Sequence, residues 1–474
     1  MSDGAASSAT EVLGRIQAET GKPLVAMLEL SDRCNEVCVH CYQVQGRKGE
    51  LSTRDWRRIL DQLAEAGVLM LTLSGGEVTL RKDFLEILAY ARQLGFAVRL
   101  FTNGLTMTRE LAAQIAAQNV TCVEISLYST RAEVHDFVTG VPGSFDRTVQ
   151  GIRNLRDLGV DVMIKAVMMN LNQADLPAYP ALAAQLGAQF RIDTGGLVPR
   201  EGGDRDPQAL DPDRSRATQL ERQLRVEKQR ALGHSAQTQP ISGRRPASTK
   251  VCGAARTLHV EPNGEMRPCS LLEVDLGDVR SVSPSEIHNS ERARGVRGLT
   301  WGDLHGCRVC ELARSCSRCY AVALAETGDA LGPHPSACLK ARAAAQAASA
   351  RGLRFVAEGS RATTVGPYRL ITESVYQAFN DRRTAADEGL AERLGWARRS
   401  SADQAGNQAV PDLAVRPGEL IQIRRPGRKS SKLERVPGAV RAEHASDARS
   451  GSAQSAPAEN ERQVADPPRR VREG

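Results

Sequence analysis

Short apolar, β-branched runs alternate with amphipathic helical stretches between residues 24 and 193. Strands in parallel βαβ units are joined through helices, so this alternation predicts a parallel α/β domain. The predicted strands cover residues 24–30, 68–74, 97–101, 121–127, 160–167 and 188–192. The predicted helices cover residues 53–66, 82–94, 108–117, 144–158 and 173–186. Such units form either a partial six-unit barrel of the TIM type or a doubly wound sheet, and periodicity leaves both open.

Shifts in composition divide the chain into five predicted segments. A stretch rich in Gly, Pro, Asp and Arg at residues 200–213 marks a domain boundary. The cysteine-dense module further along has little apolar periodicity, so we expect bound ligands rather than a hydrophobic core to hold it together. The tail is rich in Arg, Ala, Ser, Gly and Pro, which predicts disorder over most of its length. The predicted segments are an N-terminal extension 1–22, a barrel 23–200, a linker with a charged helix 201–250, a cysteine-rich domain 251–345 and a tail 346–474.

Composition excludes several classes of protein. No apolar run approaches the roughly 20 residues that a membrane-spanning helix needs. The first eight residues lack a basic start and an apolar stretch, so they do not indicate a secretory signal and a cytoplasmic location is predicted. The 63 Lys and Arg against 56 Asp and Glu give a net charge of +7, which is too weak to predict nucleic-acid binding.

Eleven cysteines in a chain without an export signal indicate metal or redox chemistry, because the cytosol keeps thiols reduced. Three of them, Cys34, Cys38 and Cys41, follow the first predicted strand directly. A loop with this spacing can wrap around a cubane cluster, where three thiolates leave one of four irons open. The alternatives are a zinc site that lacks one ligand, or three unrelated thiols.

Polar residues and glycines follow the next predicted strands. Gly75-Gly76-Glu77 follows the second strand, and Ser126 ends the fourth, on the same face as Glu124 and Tyr128 by the two-residue repeat. Because ligands of parallel α/β folds bind at the carboxyl ends of the strands, these residues are candidates for the site.

The three-cysteine loop on a βα scaffold resembles the signature of the radical SAM superfamily. This resemblance implies a [4Fe-4S] cluster on Cys34, Cys38 and Cys41 whose open iron is chelated by S-adenosylmethionine. Reductive cleavage of that molecule then gives a 5′-deoxyadenosyl radical, which abstracts hydrogen from the substrate. By the same resemblance Gly75, Gly76 and Glu77 hold the methionine amino group, and Ser126 contacts the ribose.

Further candidate residues have two interpretations each. Lys165 on the fifth strand faces either the cofactor or solvent. Asp193 at the end of the sixth strand is a candidate catalytic residue that contacts substrate, or else a helix cap. His40 stands where the superfamily often has an aromatic residue, and we expect it to pack near the cofactor rather than bind metal. Cys122 shares no ligand spacing, so we expect it to serve in packing.

Seven more cysteines form a second group, interrupted by an Asn263-Gly264 pair that predicts a β-hairpin between the first two of them. Zinc is one interpretation, because Cys-x-x-Cys pairs bind it readily. The order of cysteines, with Gly264 five residues before the second, resembles the SPASM domain of peptide-modifying radical SAM enzymes, which holds two auxiliary iron–sulfur clusters. These seven are Cys252, Cys269, Cys307, Cys310, Cys316, Cys319 and Cys338.

The SPASM resemblance implies an outer cluster on Cys307, Cys310, Cys316 and Cys338. It implies an inner cluster on Cys252, Cys269 and Cys319. One departure affects Cys319: the family usually has three residues between its fifth and sixth cysteines, and here there are two. The inner cluster then has an open iron, a further ligand such as His259, or only two irons.

Together these resemblances imply a radical SAM enzyme that crosslinks, oxidises or epimerises a ribosomally made peptide or protein. The segment 135–146, which otherwise predicts a turn and a helix cap, is also similar to one found in peptide-modifying members. The implied partners are a reductase, flavodoxin or ferredoxin that donates electrons, and a separate leader-peptide-binding protein. The alternatives are an anaerobic sulfatase maturase, in which tyrosine usually stands at the place of His40, a non-catalytic iron–sulfur electron relay, or a zinc-binding interaction module.

Overall fold

The computed structural model describes residues 16–17, 20–43, 49–193, 197–198, 210 and 243–349. Most of the predicted N-terminal extension, the charged helix, most of the linker and nearly all of the predicted tail lie outside the described residues. The proposed domain boundaries therefore stay predictions.

Six parallel strands form the main sheet in the order of the sequence. A doubly wound sheet would reverse its strand order at β1, whereas here each strand pairs with the next one along the chain. The sheet is therefore a partial six-stranded barrel of the TIM type. Its strands are β1 (Val25–Glu29), β2 (Met70–Ser74), β3 (Ala97–Thr102), β4 (Cys122–Ser126), β5 (Val162–Val167) and β6 (Gln189–Asp193).

Helices connect the strands, and their apolar faces cover the sheet. The first helix begins after Ser52, whose hydroxyl accepts the N–H of Asp55 while the Asp55 carboxylate accepts the N–H of Ser52. Its buried side chains include Trp56, and each such apolar side chain contributes about 1.5–3 kcal/mol through removal from water. The connecting helices are α1 (Thr53–Glu65), α2 (Phe84–Gln93), α3 (Arg109–Ala117), α4 (Ala132–Thr139), α5 (Ser144–Arg156) and α6 (Tyr179–Gln185).

Helix α4 differs from the sequence prediction, which gave a turn and a cap in this region. It ends at Gly140 with a φ of 70°, a conformation that glycine adopts without strain. The carboxylate of Asp136 then accepts the backbone N–H groups of Gly143 and Phe145, so it caps the start of α5. An eight-residue helix gives too short an apolar repeat to be distinguished from a turn by pattern.

The cysteine-rich module extends the barrel sheet. Strand β7 (Leu258–Val260) pairs in parallel with β1, with Ala26 opposite Leu258. The predicted hairpin is confirmed, since β8 (Glu265–Arg267) returns antiparallel to β7 and pairs with β9 (Gly277–Asp278). The remaining elements are α7 (Pro284–His288), α8 (Glu291–Gly298), α9 (Tyr320–Thr327) and α10 (Pro335–Ser349).

The expectation that ligands alone hold this module together is wrong. The module has its own apolar core, in which Trp301, Leu304 and Leu331 are almost completely buried. These residues come from loops and from short or 3-10 helices, so they show no sequence period.

None of the helices in the described part of the chain is long and apolar enough to cross a membrane.

Candidate active site

A cavity of about 380 Å³ lies at the carboxyl ends of the parallel strands. Its wall combines loops that follow β1, β2 and β3 with side chains of β4, β5 and β6, and with Ser270 and Leu271 from the second module. The structure thus brings together residues that are far apart in sequence. The predicted residues on this wall are Cys34, Cys38, His40, Cys41, Gly75, Gly76, Ser126, Lys165 and Asp193.

The cysteine loop is held from outside by helix α4. The backbone N–H of Val37 donates to the carbonyl of Thr139 at 2.9 Å, and that of Val39 donates to the carbonyl of Val138 at 2.9 Å. The end of a helix that the sequence did not predict therefore fixes the backbone on both sides of Cys38.

The three thiols of this loop share one electrostatic environment. Burial, together with the charges of Glu77, Glu36 and Cys41, raises the pKa of Cys34 to about 12. Burial also raises the pKa of Cys38 well above its usual range, and Glu36, Cys41 and Cys34 add to this. The three sulfur atoms are close enough for each negative charge to disfavour the others, so deprotonating them together requires a cation among them.

Gly75 and Gly76 bring the loop after β2 against the cysteine loop. A Cβ atom on Gly75, whose φ is +141°, would lie 2.3 Å from the carbonyl oxygen of Ser31. A Cβ atom on Gly76 would lie 2.5 Å from the carbonyl oxygen of Arg33. This close approach lets the N–H of Gly76 donate to the carbonyl of Ser31 at 2.8 Å, so only glycine fits at both positions.

Glu77 lies behind the cavity wall, with 1% of its surface exposed. Its carboxylate accepts the N–H and hydroxyl of Thr79, the hydroxyl of Thr102 at 2.8 Å and the N–H of Asn103 at 2.7 Å. Burial raises its pKa, and these four hydrogen bonds oppose the rise. Glu77 therefore ties the end of β2 to the end of β3, and its contact with a cofactor stays a prediction.

Two polar residues of the wall were missed by the sequence analysis. Glu36 lies between two of the cysteines, its carboxylate accepts the thiol of Cys38 at 3.2 Å, and burial raises its pKa to about 7. The amide of Asn103 donates to Asn35 at 2.7 Å and lies 3.9 Å from the sulfur of Cys34. The sequence signals that could have identified them were the position of Glu36 inside the cysteine motif and that of Asn103 directly after β3.

The rings of His40 and Tyr128 pack together on the cavity wall, which also contains Ser126. The imidazole of His40 packs edge-on against Tyr128, with 4.6 Å between ring centroids. Burial lowers the pKa of His40 to about 4, so the ring is neutral. His40 therefore packs beside the cavity as expected, and Tyr128 separates it from the buried His135, whose ring lies 5.8 Å from that of Tyr128.

Lys165 belongs to a charge network around Glu124. The Lys165 ammonium lies 3.3 Å from the Glu124 carboxylate and 3.4 Å from the centroid of the Phe101 ring. Glu124 is 3% exposed and also pairs with Arg99 at 3.1 Å and Arg191 at 3.2 Å. Burial lowers the pKa of Lys165, and Glu124 opposes that effect. Three cations surround one buried carboxylate here, and two of them, Lys165 and Arg191, line the cavity.

The seven cysteines of the second module fall into two neighbourhoods. Burial, together with Cys307, Cys338 and Cys310, raises the pKa of Cys316 to about 12. In the second neighbourhood burial raises the pKa of Cys269 to about 11, with additional increases from Cys319 and Cys252. These neighbourhoods contain the outer and inner sets implied by resemblance, and Cys319 acts on Cys269 despite the short spacing before it. Which cysteines bind clusters stays a prediction.

His259 lies in a cluster of buried carboxylates on adjacent strands. Its Nε2 atom is 3.4 Å from Glu29, and one ligand atom each of Glu29, His259 and Glu261 lies within 4.8 Å of the others. Arg267 pairs with Glu261 at 2.9 Å. The structure therefore places His259 against the end of β1.

Cys122 stands apart from both groups of cysteines. It begins β4, at the amino end of the strand, whereas the cavity lies at the carboxyl ends. Burial raises its pKa, with a further increase from Glu124. All eleven cysteines lie in the described part of the chain, and none of them forms a disulfide there.

A partial parallel barrel with a three-cysteine loop at its mouth and a cysteine-rich extension defines an iron–sulfur protein of the radical-generating class. Residues 28–178 match the radical SAM superfamily model, and residues 252–320 match SPASM, an iron–sulfur cluster-binding domain. The chain belongs to the radical SAM superfamily and carries a SPASM domain. It is therefore an enzyme whose cofactors are S-adenosylmethionine, a [4Fe-4S] cluster and one or two auxiliary iron–sulfur clusters.

Three curated relatives are similar to between 36% and 69% of this chain. AdoMet-dependent heme synthase of Methanosarcina barkeri is 31% identical over 341 residues, which is 67% of this chain and 97% of the relative. PqqA peptide cyclase of Rhodopseudomonas palustris is 30% identical over 343 residues, 69% of this chain and 90% of the relative. Mycofactocin maturase MftC of Mycolicibacterium smegmatis is 40% identical over 173 residues, 36% of this chain and 44% of the relative.

Solved structures share the fold. SuiB of Streptococcus suis bound to precursor peptide SuiA superposes with a TM-score of 0.54 at 16% identity, over 71% of this chain and 84% of that one. The structure of anSMEcpe with bound AdoMet gives a TM-score of 0.53 at 17% identity, over 69% of this chain and 98% of that one. At such identities the similarity establishes the fold alone, a TIM-like partial barrel.

Proposed function

We propose that Cys34, Cys38 and Cys41 hold the [4Fe-4S] cluster that binds S-adenosylmethionine. The donor set fits this role, because three thiols of one loop, that of Cys38 buried and those of Cys34 and Cys41 partly buried, line one cavity, where a cation would favour their thiolate forms. No fourth cysteine lies on this wall among the described residues, so one iron is left for the cofactor.

We assign to the other wall residues roles that their positions support. Gly75 and Gly76 set the backbone against which the methionine end of the cofactor binds, and Glu77 holds that backbone from behind. Ser126 is placed for the ribose, and Lys165 for an anionic group such as the methionine carboxylate. Asp193, at the end of β6, faces the same cavity and is the candidate contact for substrate.

We propose further that the SPASM domain holds two clusters. The outer one would be bound by Cys307, Cys310, Cys316 and Cys338. The inner one would be bound by Cys252, Cys269 and Cys319. The electrostatic coupling within each set supports this division.

The substrate that we propose is a ribosomally made peptide or protein, which the enzyme crosslinks, oxidises or epimerises. When bound, the cofactors supply a 5′-deoxyadenosyl radical that removes a hydrogen atom from the substrate. One observation carries the proposal: the cavity is lined both by the three cysteines after β1 and by Ser270 and Leu271, which directly follow Cys269. A substrate held there lies between the radical source and the inner cluster, which can accept its remaining electron.

Similarity to PqqA peptide cyclase over 90% of its length supports a peptide substrate. The proposed electron donor is a reductase, flavodoxin or ferredoxin of low potential. The second proposed partner is a separate protein that binds the leader peptide. A cytoplasmic location, where thiols stay reduced, agrees with this chemistry.

The test is anaerobic reconstitution followed by reduction with dithionite in the presence of S-adenosylmethionine. The wild type forms 5′-deoxyadenosine, Cys34→Ala does not, and Cys122→Ala, the matched cysteine outside both groups, equals the wild type. A wild type that equals Cys34→Ala supports a non-catalytic electron relay. Zinc in place of iron in protein prepared without air supports the interaction module.

Heme synthesis is a second candidate function, favoured by 31% identity across 97% of the heme synthase from Methanosarcina barkeri. The two candidates differ in which added substrate increases 5′-deoxyadenosine formation. Substrate deuterated at its exchange-inert C–H positions transfers deuterium into 5′-deoxyadenosine only if it is the true hydrogen donor. Transfer from a neighbouring gene's peptide supports the peptide proposal, transfer from a heme precursor contradicts it, and transfer from a sulfatase peptide supports the sulfatase maturase.

A further inference from the structure

Arg318 is a buried cation in the middle of the SPASM domain. It lies between Cys316 and Cys319 in the chain, and 5% of its surface is exposed. Its Nη2 atom donates to the carbonyl oxygens of Ala330 and Gly332. Its Nε and Nη1 atoms are buried and donate to no oxygen or nitrogen of the described residues, and the thiol of Cys307 faces the guanidinium.

The protein compensates this positive charge only in part, through the face of the Tyr320 ring, whose centroid lies 5.3 Å from the guanidinium carbon. No carboxylate of the described residues forms an ion pair with Arg318, although arginine is rarely buried without one. A guanidinium has five N–H donors and stays charged in proteins. Burying it is unfavourable when two of its nitrogens have no oxygen or nitrogen acceptor for their hydrogen bonds. Something anionic must therefore face Nε and Nη1 in the working protein.

Both sets of cysteines lie within electrostatic reach of the guanidinium. Burial raises the pKa of Cys307 and of Cys316 in the outer set, and Arg318 opposes the rise in each. Burial raises the pKa of Cys252 in the inner set, and Arg318 opposes the rise there as well. Arg318 is thus shared between two groups of thiols that are otherwise separate.

We infer that Arg318 stands between the two auxiliary clusters and raises the reduction potential of both. The inference rests on the proposed assignment of the seven cysteines. A cluster ligated by thiolates becomes more negative on reduction, so a nearby buried cation stabilises the reduced form more than the oxidised form. Because the site excludes water, this interaction is screened less than one at the surface. Higher potentials make both clusters better acceptors of the electron that the substrate gives up.

The alternative is a purely structural role, in which Arg318 only ties the turn at Ala330 and Gly332 to the cysteine loop. The two roles predict different results for conservative variants. Arg318→Lys keeps the positive charge but loses the planar guanidinium whose Nη2 atom donates to both carbonyls. Arg318→Gln removes the charge but keeps a hydrogen-bond donor. Arg308 offers the matched control, because it also lies between paired cysteines, Cys307 and Cys310, but is exposed.

The experiment is an anaerobic redox titration of the reconstituted full-length protein, followed by electron paramagnetic resonance, with iron and sulfide measured in each sample. We expect Arg318→Gln to lower the reduction equilibrium constant of both auxiliary clusters at least tenfold, which is about 59 mV for a one-electron couple. We expect Arg318→Lys and Arg308→Gln to stay within about threefold of the wild type, since each leaves a positive charge at position 318.

Unchanged potentials in an Arg318→Gln protein of full iron content contradict the inference, and so does a shift confined to one cluster. If Arg318→Gln loses iron, the Arg318→Lys protein decides. Reduction potentials near those of the wild type support the inference. Reduction equilibrium constants that are tenfold lower than in the wild type overturn it. Wild-type protein with iron for the first cluster alone would instead refute the assignment of the seven cysteines, so the two failures are distinguishable.

Discussion

The carboxylate of Glu77 accepts the backbone N–H of Asn103 at 2.7 Å across the ends of β2 and β3. Glu77 follows the two glycines that touch the cysteine loop, and the side chain of Asn103 reaches Asn35 in that loop. A buried carboxylate thus links three strand ends around one cavity. It acts on the site through backbone position, which a sequence motif does not reveal.

Glu77→Gln should destabilise the protein by about 1–3 kcal/mol, because the amide nitrogen cannot accept the N–H groups and hydroxyls that the carboxylate accepts. The measurement is denaturant unfolding of reconstituted protein under anaerobic conditions. Glu86→Gln, on the exposed face of α2, is the control and should change stability by less than about 0.5 kcal/mol. Equal stabilities of the two variants would contradict the bracing role of Glu77.

Gly75→Ala should displace the cysteine loop, since the new Cβ would lie 2.3 Å from the carbonyl oxygen of Ser31. We expect a loss of about 1–3 kcal/mol in unfolding free energy and a fall of roughly four irons per chain after reconstitution. Gly298→Ala is the matched control, because nothing lies within 4 Å of a Cβ atom at that glycine. Full iron content in Gly75→Ala would show that the loops can separate without harm.

Lys165→Met should weaken binding of S-adenosylmethionine by about tenfold to a hundredfold, because a hydrogen bond to a charged group contributes about 1.5–3 kcal/mol. Equilibrium binding to the reconstituted, unreduced protein measures this effect. Arg99→Met is the control, since Arg99 pairs with the same Glu124 but does not line the cavity. If both variants bind the cofactor equally well, Lys165 serves only to neutralise Glu124.

Cys307→Ala and Cys252→Ala should remove different clusters. The first should lower iron content by roughly four atoms per chain and leave the inner cluster's magnetic resonance signal in place. The second should remove that remaining signal and spare the outer one. Cys122→Ala should match the wild type. Loss of both signals in either variant would contradict a division into two separate sites.

His135 should make the protein less stable as the pH falls from about 6.5 to about 4. Its Nδ1 atom accepts the N–H of Tyr128 at 3.1 Å, and burial lowers its pKa to about 4 from a usual 6.5. The unfolded chain therefore takes up a proton at a pH where the folded chain does not, so protons favour unfolding in this range and stability is regained above it.

His135→Asn keeps an acceptor for the Tyr128 N–H but cannot ionise. The free energy of unfolding of the wild type should fall more steeply than that of this variant between about pH 6.5 and pH 5. Denaturant unfolding at several pH values measures both slopes. Parallel slopes would mean that His135 is protonated equally in the folded and unfolded chains.

Much of the barrel could be predicted because its signals are local. All six strands lie within the predicted ranges to about one residue, since apolar β-branched runs mark strands wherever they are buried on both faces. Helix α4 could not be predicted, because eight residues carry too little periodicity. The core of the second module could not either, because Trp301 and Leu331 come together only through tertiary contacts.

The sequence by itself determined the chemistry of this protein: cysteine spacing is a local property of the chain, and so are the Gly-Gly pair after β2 and the Asn-Gly hairpin. Only the tertiary structure decided what surrounds that chemistry. It placed Glu77 behind the wall, enclosed Arg318 among two sets of thiols and brought Leu271 to the cavity of the first cysteine loop. Burial and electrostatic proximity depend on segments hundreds of residues apart, and no pattern along one segment carries that information.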